Sequence, residues 1–333
     1  MDQTPIKSIK HSRILLSPLN WGLGHVSRTV PIIQKILENK NEVIICCDAI
    51  QEGFYRNYFP SLWYVRHQGY PLRFKGNGNW SLDILSRLSS LHLFLQEERK
   101  KVDALVEKFN PDLIISDQRF GFLSKKVKSI IISHQLNLPV SNWNILAKLW
   151  NKKLLNAFDE IWIPDNNQHE FSGDLSKGRS NKNYFIGTSS RFYDFPIPNL
   201  TSKEKEYHYL GIISGPAPYN QQLLDLFIKK INQSEQKSAI IVPTELYDER
   251  LNTPLISVFT QLNHIEFTKL LLNSEVVVSR SGYSTIMDLF ETKNKAILIP
   301  TPGQSEQIYL SKLHKENKNW NFKTEDEFLA MEL

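Results

Sequence analysis

The stretch RILLSPLNWGLGHVSRTVPIIQKILEN, residues 13–39, decides the fold class. Its first part, Arg13–Pro18, is a short apolar run of the kind that forms a buried strand, and Asn20–His25 is a glycine-rich turn. From Ser27 to Asn39, apolar residues recur at helical spacing. A strand, a tight turn and a helix in this order form the opening unit of a doubly wound α/β domain.

The same rhythm continues along the chain. Unbroken apolar strands such as Glu42–Cys47, Asp112–Ser116 and Glu275–Ser279 alternate with helical segments. Strands without polar alternation are typical of parallel sheets that helices cover on both faces. A proline-rich and charged stretch near Thr188–Glu206 separates two such halves.

We therefore predict an α/β protein of two doubly wound, Rossmann-like parallel-sheet domains that face a cleft. The predicted domains are residues 1–187 and 188–316, with a C-terminal segment, residues 317–333, that could return to the first domain. A length of 333 residues suits two domains of ordinary size.

The composition excludes several classes of protein. With 41% hydrophobic and 23% charged residues, the chain is neither disordered nor a disulfide scaffold. No apolar run reaches the roughly 18 residues that a membrane span needs, and the first residues lack an apolar signal region. Cys46 and Cys47 are adjacent in a predicted strand, so we expect them to fill the core of a reduced, cytoplasmic protein.

The distribution of charge is more informative than the net charge of +5. From Gln118 to Phe158 there is no acidic residue, and seven basic residues fall in that block: Arg119, Lys125, Lys126, Lys128, Lys148, Lys152 and Lys153. A helix predicted over Trp143–Phe158 carries an apolar stripe at helical spacing: Trp143, Ala147, Trp150 and Leu154. Such a helix either packs on the core with a solvated basic back or lies on an anionic membrane surface at the inner face.

The first turn leaves two interpretations open. Gly22 and Gly24 match part of the dinucleotide fingerprint G-x-G-x-x-G, but Ser27 replaces its third glycine, so a dehydrogenase and a plain tight turn are alternatives. His25 begins a helix, where the helix dipole favours a neutral imidazole that can accept a proton. Asp117 follows another strand at the same sheet edge and could orient that ring.

A second constellation lies in VVVSRSGYSTIMD, residues 276–288. After the strand, Ser281 could cap the next helix, and Gly282 would let a ligand approach the free backbone N–H groups. The positive end of the helix suits a diphosphate. A polar segment, Thr301–Gln307, follows the next strand at the corresponding edge.

With these motifs the sequence resembles the family 28-like branch of the GT-B glycosyltransferases. The G-x-G-H loop at Gly22–His25, the donor signature R-S-G-x-x-T-x-x-D at Arg280–Asp288, and the element P-x(5)-E-Q from Pro300 to Gln307 carry the resemblance. It implies a GT-B fold, no metal and no cofactor, and a nucleotide-sugar donor that is uridine-linked.

The resemblance also implies roles for individual residues. His25 would be the catalytic base, supported by Asp117. The donor side would comprise Ser214, Gly215, Arg280, Ser281, Gly282, Thr285, Asp288, Glu306 and Gln307. Gly22 and Gly24 would lie on the acceptor side. His134 is placed there by its position after the apolar strand 129–133, at the same sheet edge, where it could touch a substrate or simply form a polar loop.

The resulting prediction is an inverting, metal-independent glycosyltransferase that moves a hexosyl or N-acetylhexosaminyl group to an acceptor hydroxyl. The acceptor could be lipid-linked or a component of the cell envelope. Its expected partners are the donor, an acceptor and an anionic membrane surface, with no nucleic acid. A nucleotide-sugar 2-epimerase of the same fold and a non-catalytic nucleotide-sugar-binding relative are the alternatives. The loop Gly69–Trp80 is the expected site of acceptor or membrane contact.

Overall fold

The computed structural model describes residues 5–71, 73–78, 80–139, 145–178, 180–193 and 205–332. The chain divides into two compact units, each assembled from more than one segment. The first unit comprises Met1–Asn20, His25–Leu72 and Ile84–Tyr193. The second unit comprises Trp21–Gly24, Arg73–Asp83 and Asp194–Leu333.

The first unit contains a parallel sheet in the order β3-β2-β1-β4-β5-β6-β7. Its strands are β1 (Arg13–Pro18), β2 (Glu42–Cys47), β3 (Trp63–Arg66), β4 (Leu113–Asp117), β5 (Lys128–Ile132), β6 (Glu160–Ile163) and β7 (Asn183–Phe185). The helices that begin or lie in this part of the chain are α1 (Leu23–Glu38), α2 (Ala49–Arg56), α3 (Trp80–Leu85), α4 (Leu88–Phe109) and α5 (Ile145–Leu155). The strands β1, β2, β4 and β5 are buried almost throughout, as their unbroken apolar runs predict.

The second unit contains a parallel sheet in the order β10-β9-β8-β11-β12-β13. Its strands are β8 (Tyr207–Ile212), β9 (Ser238–Ile241), β10 (Ile256–Phe259), β11 (Ser274–Ser279), β12 (Lys295–Leu298) and β13 (Trp320–Phe322). Its helices are α6 (Tyr219–Ser234), α7 (His264–Leu272), α8 (Tyr283–Thr292), α9 (Ser305–Leu313) and α10 (Glu325–Ala330).

In each sheet the strand order reverses at one place. The reversal lies between β1 and β4 in the first sheet and between β8 and β11 in the second. In open α/β sheets, ligands bind in the crevice beyond the carboxyl ends of the strands at such a switch point. The residues that follow β1, β4, β8 and β11 are therefore the ones expected to contact a ligand.

The C-terminal segment differs from its expectation. Residues 317–332 belong to the second unit, where Trp320–Phe322 pairs in parallel with β12 and extends the second sheet. The Phe328 side chain is fully buried in the core of that unit, with Phe227 of α6. The last of the breaks between the two units follows Tyr193, and residues 194–204 of the predicted linker lie outside the described residues.

Two helices also differ from the sequence pattern. The helix predicted over Leu82–Phe109 is two helices, α3 and α4, with a turn between them. α1 begins at Leu23, and Gly22 at φ +88° precedes it, a conformation that favours glycine. Gly24 and His25 are therefore helical residues of the first turn.

The core of each unit packs apolar side chains between its sheet and helices. In the first unit Leu15, Ile44, Cys46 and Val102 belong to one buried cluster. Cys46 and Cys47 are both buried and unpaired thiols, in keeping with the predicted core role. None of the helices in the described part of the chain combines the length and apolar character needed to cross a bilayer.

Candidate functional site

His25 and Asp117 meet at the switch point of the first sheet. Asp117 ends β4, in register with Pro18 at the end of β1, and His25 lies in the first turn of α1. His25 Nδ1 lies 2.9 Å from Asp117 Oδ2, with Asp117 fully buried and the His25 side chain 19% exposed. The carboxylate accepts this hydrogen bond, which assigns the proton to Nδ1 and leaves the lone pair on Nε2. The predicted pair is thus brought together in a geometry that orients a base.

Arg28 is a member of this cluster that the sequence reasoning missed. Its Nε donates to both Asp117 oxygens at 3.0 Å, and its Nη2 donates to Oδ1. The Arg28 side chain is only 2% exposed. The signal in the sequence was its spacing, because a residue three positions after His25 lies on the same helix face.

His134, predicted on the acceptor side, lies behind this cluster. Its side chain is buried, and Nδ1 lies 3.3 Å from Arg28 Nη1, where it accepts a hydrogen bond. Ser133 accepts a hydrogen bond from Gln118 Nε2 at 2.9 Å. The guanidinium of Arg28 therefore joins the ends of β4 and β5, and His134 is part of the support for Asp117.

The electrostatics of the cluster favour a neutral imidazole beside a charged carboxylate. Burial, followed by the positive charge of Arg28, lowers the pKa of His25 below its ordinary value, although Asp117 acts in the opposite direction. For Asp117, burial alone would raise the pKa, but Arg28 and His25 outweigh it, so the pKa is lowered. A neutral His25 with an ionised Asp117 is the protonation state that a general base requires.

Donor-side residues predicted in the second half gather at the switch point of the second sheet. Ser214 and Gly215 follow β8, and Arg280–Gly282 follows β11, its neighbour in the sheet. Gly215 has φ +103°, a conformation that favours glycine. Thr285 and Asp288 are half-buried and share one face of α8 at a spacing of three residues.

Two of these residues have partners that differ from expectation. Gly282, and not Ser281, is the N-cap of α8, while Ser281 is fully buried and its hydroxyl donates to the Gln307 carbonyl at 3.3 Å. Arg280 is buried, forms an ion pair with Glu325 at 2.8 Å and donates to the Tyr219 carbonyl at 3.2 Å. Its guanidinium therefore joins the loop after β11 to α6 and α10.

Glu306 and Gln307 lie in the first turn of α9. The Gln307 side-chain carbonyl accepts from the Thr301 N–H at 2.8 Å, and Gln304 caps the helix by accepting from the Gln307 N–H. Both Glu306 and Gln307 are half-buried. This network fixes the start of α9 relative to the end of β12.

Gly22 and Gly24, predicted on the acceptor side, belong to the second unit and contact its donor-side loops. A Cβ on Gly22 would lie 3.2 Å from the Gly215 nitrogen, so the two backbones approach closely. The Gly24 carbonyl accepts from Ser284 Oγ at 2.8 Å. These contacts show why the turn contains glycine: a side chain on Gly22 would crowd Gly215.

The sequence of this second cluster matches a known family model. Residues 214–327 match the model described as "Glycosyltransferase family 28 C-terminal domain". The matched residues all lie in the second unit. Every predicted donor-side residue lies within the matched range.

Relatives of the chain outside the family model are distant. One relative is the UDP-N-acetylglucosamine--N-acetylmuramyl-(pentapeptide) pyrophosphoryl-undecaprenol N-acetylglucosamine transferase of Leuconostoc mesenteroides subsp. mesenteroides. The two sequences are 22% identical over 234 residues, and this region covers 66% of this chain and 61% of that protein. The chain thus spans less than two thirds of that relative's length. It is 23% identical over 328 residues to an uncharacterized glycosyltransferase of Methanosarcina mazei, covering 89% and 81% of the two chains.

Solved structures share the fold. The spinosyn rhamnosyltransferase SpnG in complex with thymidine diphosphate superimposes with a TM-score of 0.59 at 12% identity, over 95% of this chain and 90% of that one. Arabidopsis thaliana UGT89C1 in complex with UDP-L-rhamnose gives 0.60 at 12% identity, over 96% and 88%. The chain therefore has the fold of these glycosyltransferases.

The basic block of the first half does not form one surface. Arg119 is buried and paired with Glu98, and the exposed Lys126 and Lys128 form ion pairs with Glu107 and Glu160. The lysines of α5 lie on a helix that also carries exposed apolar side chains. Among the described residues, no group of three or more His, Cys, Asp or Glu side chains is arranged to hold a metal ion.

Proposed function

We propose that the protein transfers a sugar from a nucleoside-diphosphate donor, uridine-linked, to an acceptor hydroxyl with inversion and without a metal. The observation that carries this function is the 2.9 Å contact between His25 Nδ1 and buried Asp117, which leaves Nε2 able to take a proton. The match to the family 28 C-terminal domain supports the donor class, as do the nucleotide sugars named for similar proteins, UDP-N-acetylglucosamine and UDP-L-rhamnose.

The reaction follows from this protonation state. The acceptor O–H gives its proton to His25 Nε2 while the oxygen forms a bond to the anomeric carbon of the donor. The bond from that carbon to the diphosphate oxygen breaks, and the diphosphate leaves with the electron pair. A single displacement of this kind inverts the anomeric centre, and Asp117 stabilises the imidazolium that forms.

The leaving diphosphate would be stabilised by the protein backbone. α8 begins just after Gly282, and the positive end of a helix dipole at its first turn favours a bound diphosphate. Donors aimed at developing negative charge contribute a large part of catalysis where water is excluded. We assign Ser214, Gly215 and Thr285 to the same diphosphate, and Asp288 to the ribose hydroxyls.

His25→Ala tests the base directly. We expect kcat to fall about 10²–10⁴-fold with the affinity for UDP unchanged, because the base acts on the acceptor and not on the nucleotide. His92→Ala is the control, since His92 is an exposed histidine of α4. A His25→Ala enzyme with wild-type kcat would overturn the assignment, and release of an altered sugar without any acceptor would indicate an epimerase.

We also propose that α5 holds the protein on an anionic membrane surface from the cytoplasmic side. Ile145, Leu146 and Leu149 are 61%, 82% and 58% exposed, and Lys152 and Lys153 are exposed on the same helix. Exposed apolar side chains flanked by lysines suit the boundary of an anionic bilayer. Of the apolar stripe predicted on this helix, Leu154 is buried and Ala147 and Trp150 are half-buried, while Trp143 lies outside the described residues.

A further inference from the structure

Residues 73–83, called the aromatic strap below, have an unexpected place in the fold. The main part of the second unit begins only at Asp194, yet residues 73–83 belong to this unit as well. The strap includes most of the loop Gly69–Trp80, which the sequence assigned to acceptor or membrane contact. Its contacts with the described residues of the second unit suggest another role.

One group of contacts joins the strap to the loop after β8. The Gly78 N–H donates to Tyr219 Oη at 3.2 Å, and Gln222 Nε2 donates to the Gly76 carbonyl at 2.9 Å. A Cβ on Gly76 would overlap the Pro218 ring, so the backbone approaches as closely as glycine permits. Tyr219 and Gln222 lie in the first turn of α6, directly after the turn that holds Ser214 and Gly215.

A second group of contacts joins the strap to the loop after β12. A Cβ on Gly303 would overlap the Gly78 carbonyl oxygen, and a Cβ on Gly78 would lie 3.6 Å from Pro302 Cβ. Gly303 has φ +74° and stands just before Gln304, the N-cap of α9. The strap thus touches both loops that flank the donor-side residues.

Aromatic packing makes the strap a fixed element of the second unit. Phe74 and Trp80 stack with their ring centroids 4.0 Å apart and an interplanar angle of 20°. Trp80 contacts Tyr219 at 5.3 Å between centroids, and Trp21 meets Phe74 edge-on at 5.7 Å. Aromatic pairs at these separations add to the stability gained by burial.

We propose that the aromatic strap determines which donor sugar is accepted, because it positions the Pro302–Gly303 turn and with it the first turn of α9. This inference rests on the proposed function, which assigns Glu306 and Gln307 of that turn to the sugar hydroxyls. The diphosphate is assigned elsewhere, to Ser214, Gly215 and the start of α8. Displacing the strap from the Pro302–Gly303 turn therefore changes recognition of the sugar and spares recognition of the nucleotide.

Two variants displace the strap to different degrees. Gly303→Ala inserts a methyl group against the Gly78 carbonyl and pushes the two backbones apart. Tyr219→Phe keeps the ring packing and removes only the acceptor of the Gly78 N–H. Gly187→Ala is the matched control for the glycine variant, because Gly187 also has positive φ (+76°) and nothing within 4 Å of its Cβ position.

The experiment measures calorimetric affinity for UDP alone and kcat/KM for a panel of UDP-hexoses and UDP-N-acetylhexosamines. For Gly303→Ala we expect UDP affinity within twofold of wild type and at least a tenfold loss of the kcat/KM ratio between the best donor and the next. Tyr219→Phe loses one hydrogen bond, so a change of about threefold to tenfold in that ratio is expected. Thermal unfolding checks that each variant is folded, and Tyr219→Phe provides the test if Gly303→Ala is not.

The remaining outcomes separate this inference from the proposed function. An unchanged donor ranking in a folded Tyr219→Phe, or equal losses of UDP and UDP-sugar affinity, would overturn the role of the strap while leaving the transferase in place. A wild-type protein that binds UDP but turns over no UDP-sugar with any acceptor would overturn the proposed function, and the inference with it.

Discussion

Replacing Arg28 with methionine removes the guanidinium from the His25–Asp117 cluster and keeps an apolar side chain of similar length. Arg28 makes three donor contacts to Asp117, two of them at 3.0 Å, and both side chains are almost fully buried. Removing one partner of a buried ion pair leaves an uncompensated charge and costs about 3–5 kcal/mol. For a domain of this size, that cost corresponds to a fall in Tm of roughly 6–20 °C.

The assay is thermal unfolding at pH 7.5, followed by circular dichroism. The matched control is Arg250→Met, because Arg250 makes the same pattern of contacts to Asp248, at 3.0 and 2.9 Å from Nε, but is 90% exposed. We expect no resolvable change in its Tm, since exposed pairs contribute little. Arg28→Lys keeps the charge without the fork and should fall between Arg28→Met and wild type.

A third variant decides whether the buried charge is the cause. Arg28→Met combined with Asp117→Asn removes both charges, so it should be more stable than Arg28→Met alone. If Arg28→Met melts within 2 °C of wild type, or if the double variant is less stable still, the account of Asp117 as a carboxylate held ionised by Arg28 is wrong.

The remaining predictions concern the nucleotide, acid and the membrane. Asp288→Ala should weaken UDP binding about 10–100-fold by calorimetry, from the loss of charge-assisted hydrogen bonds, whereas the exposed Asp225→Ala should not; equal affinities would remove the ribose role. Because the pKa of His25 is lowered below 6.5 in the folded protein, the unfolded state binds more protons below that pH, and stability falls as the pH falls. Urea unfolding at pH 6.5 and 5.5 should show wild type losing up to about 1 kcal/mol more than His25→Gln, and equal losses would contradict the shift. Liposomes with anionic lipid should float the wild type and Leu93→Glu but not Leu146→Glu; both leucines are exposed, at 61% and 82%, so flotation of all three would exclude α5 as the contact.

Much of the architecture could be predicted because unbroken apolar strands carry a strong signal. β2, β4 and β11 were located within a residue or two, and parallel strands then place their loops at one edge. The short edge strands were harder. β7, β10 and β13 have three or four residues each, and Trp320–Phe322 has too little apolar sequence to be separated from a loop.

The site was predictable where a residue's place follows from the end of a strand. His25 and Asp117 meet because β1 and β4 are neighbours at the switch point. Arg28 and the strap were missed for a different reason: their roles depend on which side chains and loops approach through space. No local pattern shows that Gly78 lies against Gly303, since these residues are remote in the sequence.

Transfer by a single displacement with His25 as base fixes the configuration at the anomeric carbon of the product. NMR of the reaction measures that configuration. UDP-sugar labelled with ¹³C at the anomeric carbon would be incubated with wild type or His25→Ala and an acceptor pool that includes lipid-linked envelope intermediates. We expect wild type to convert the α-linked donor signal into a β-glycoside signal only when acceptor is present, and His25→Ala to slow this conversion at least a hundredfold. A product that keeps the α configuration, or conversion at the wild-type rate by His25→Ala, would contradict it.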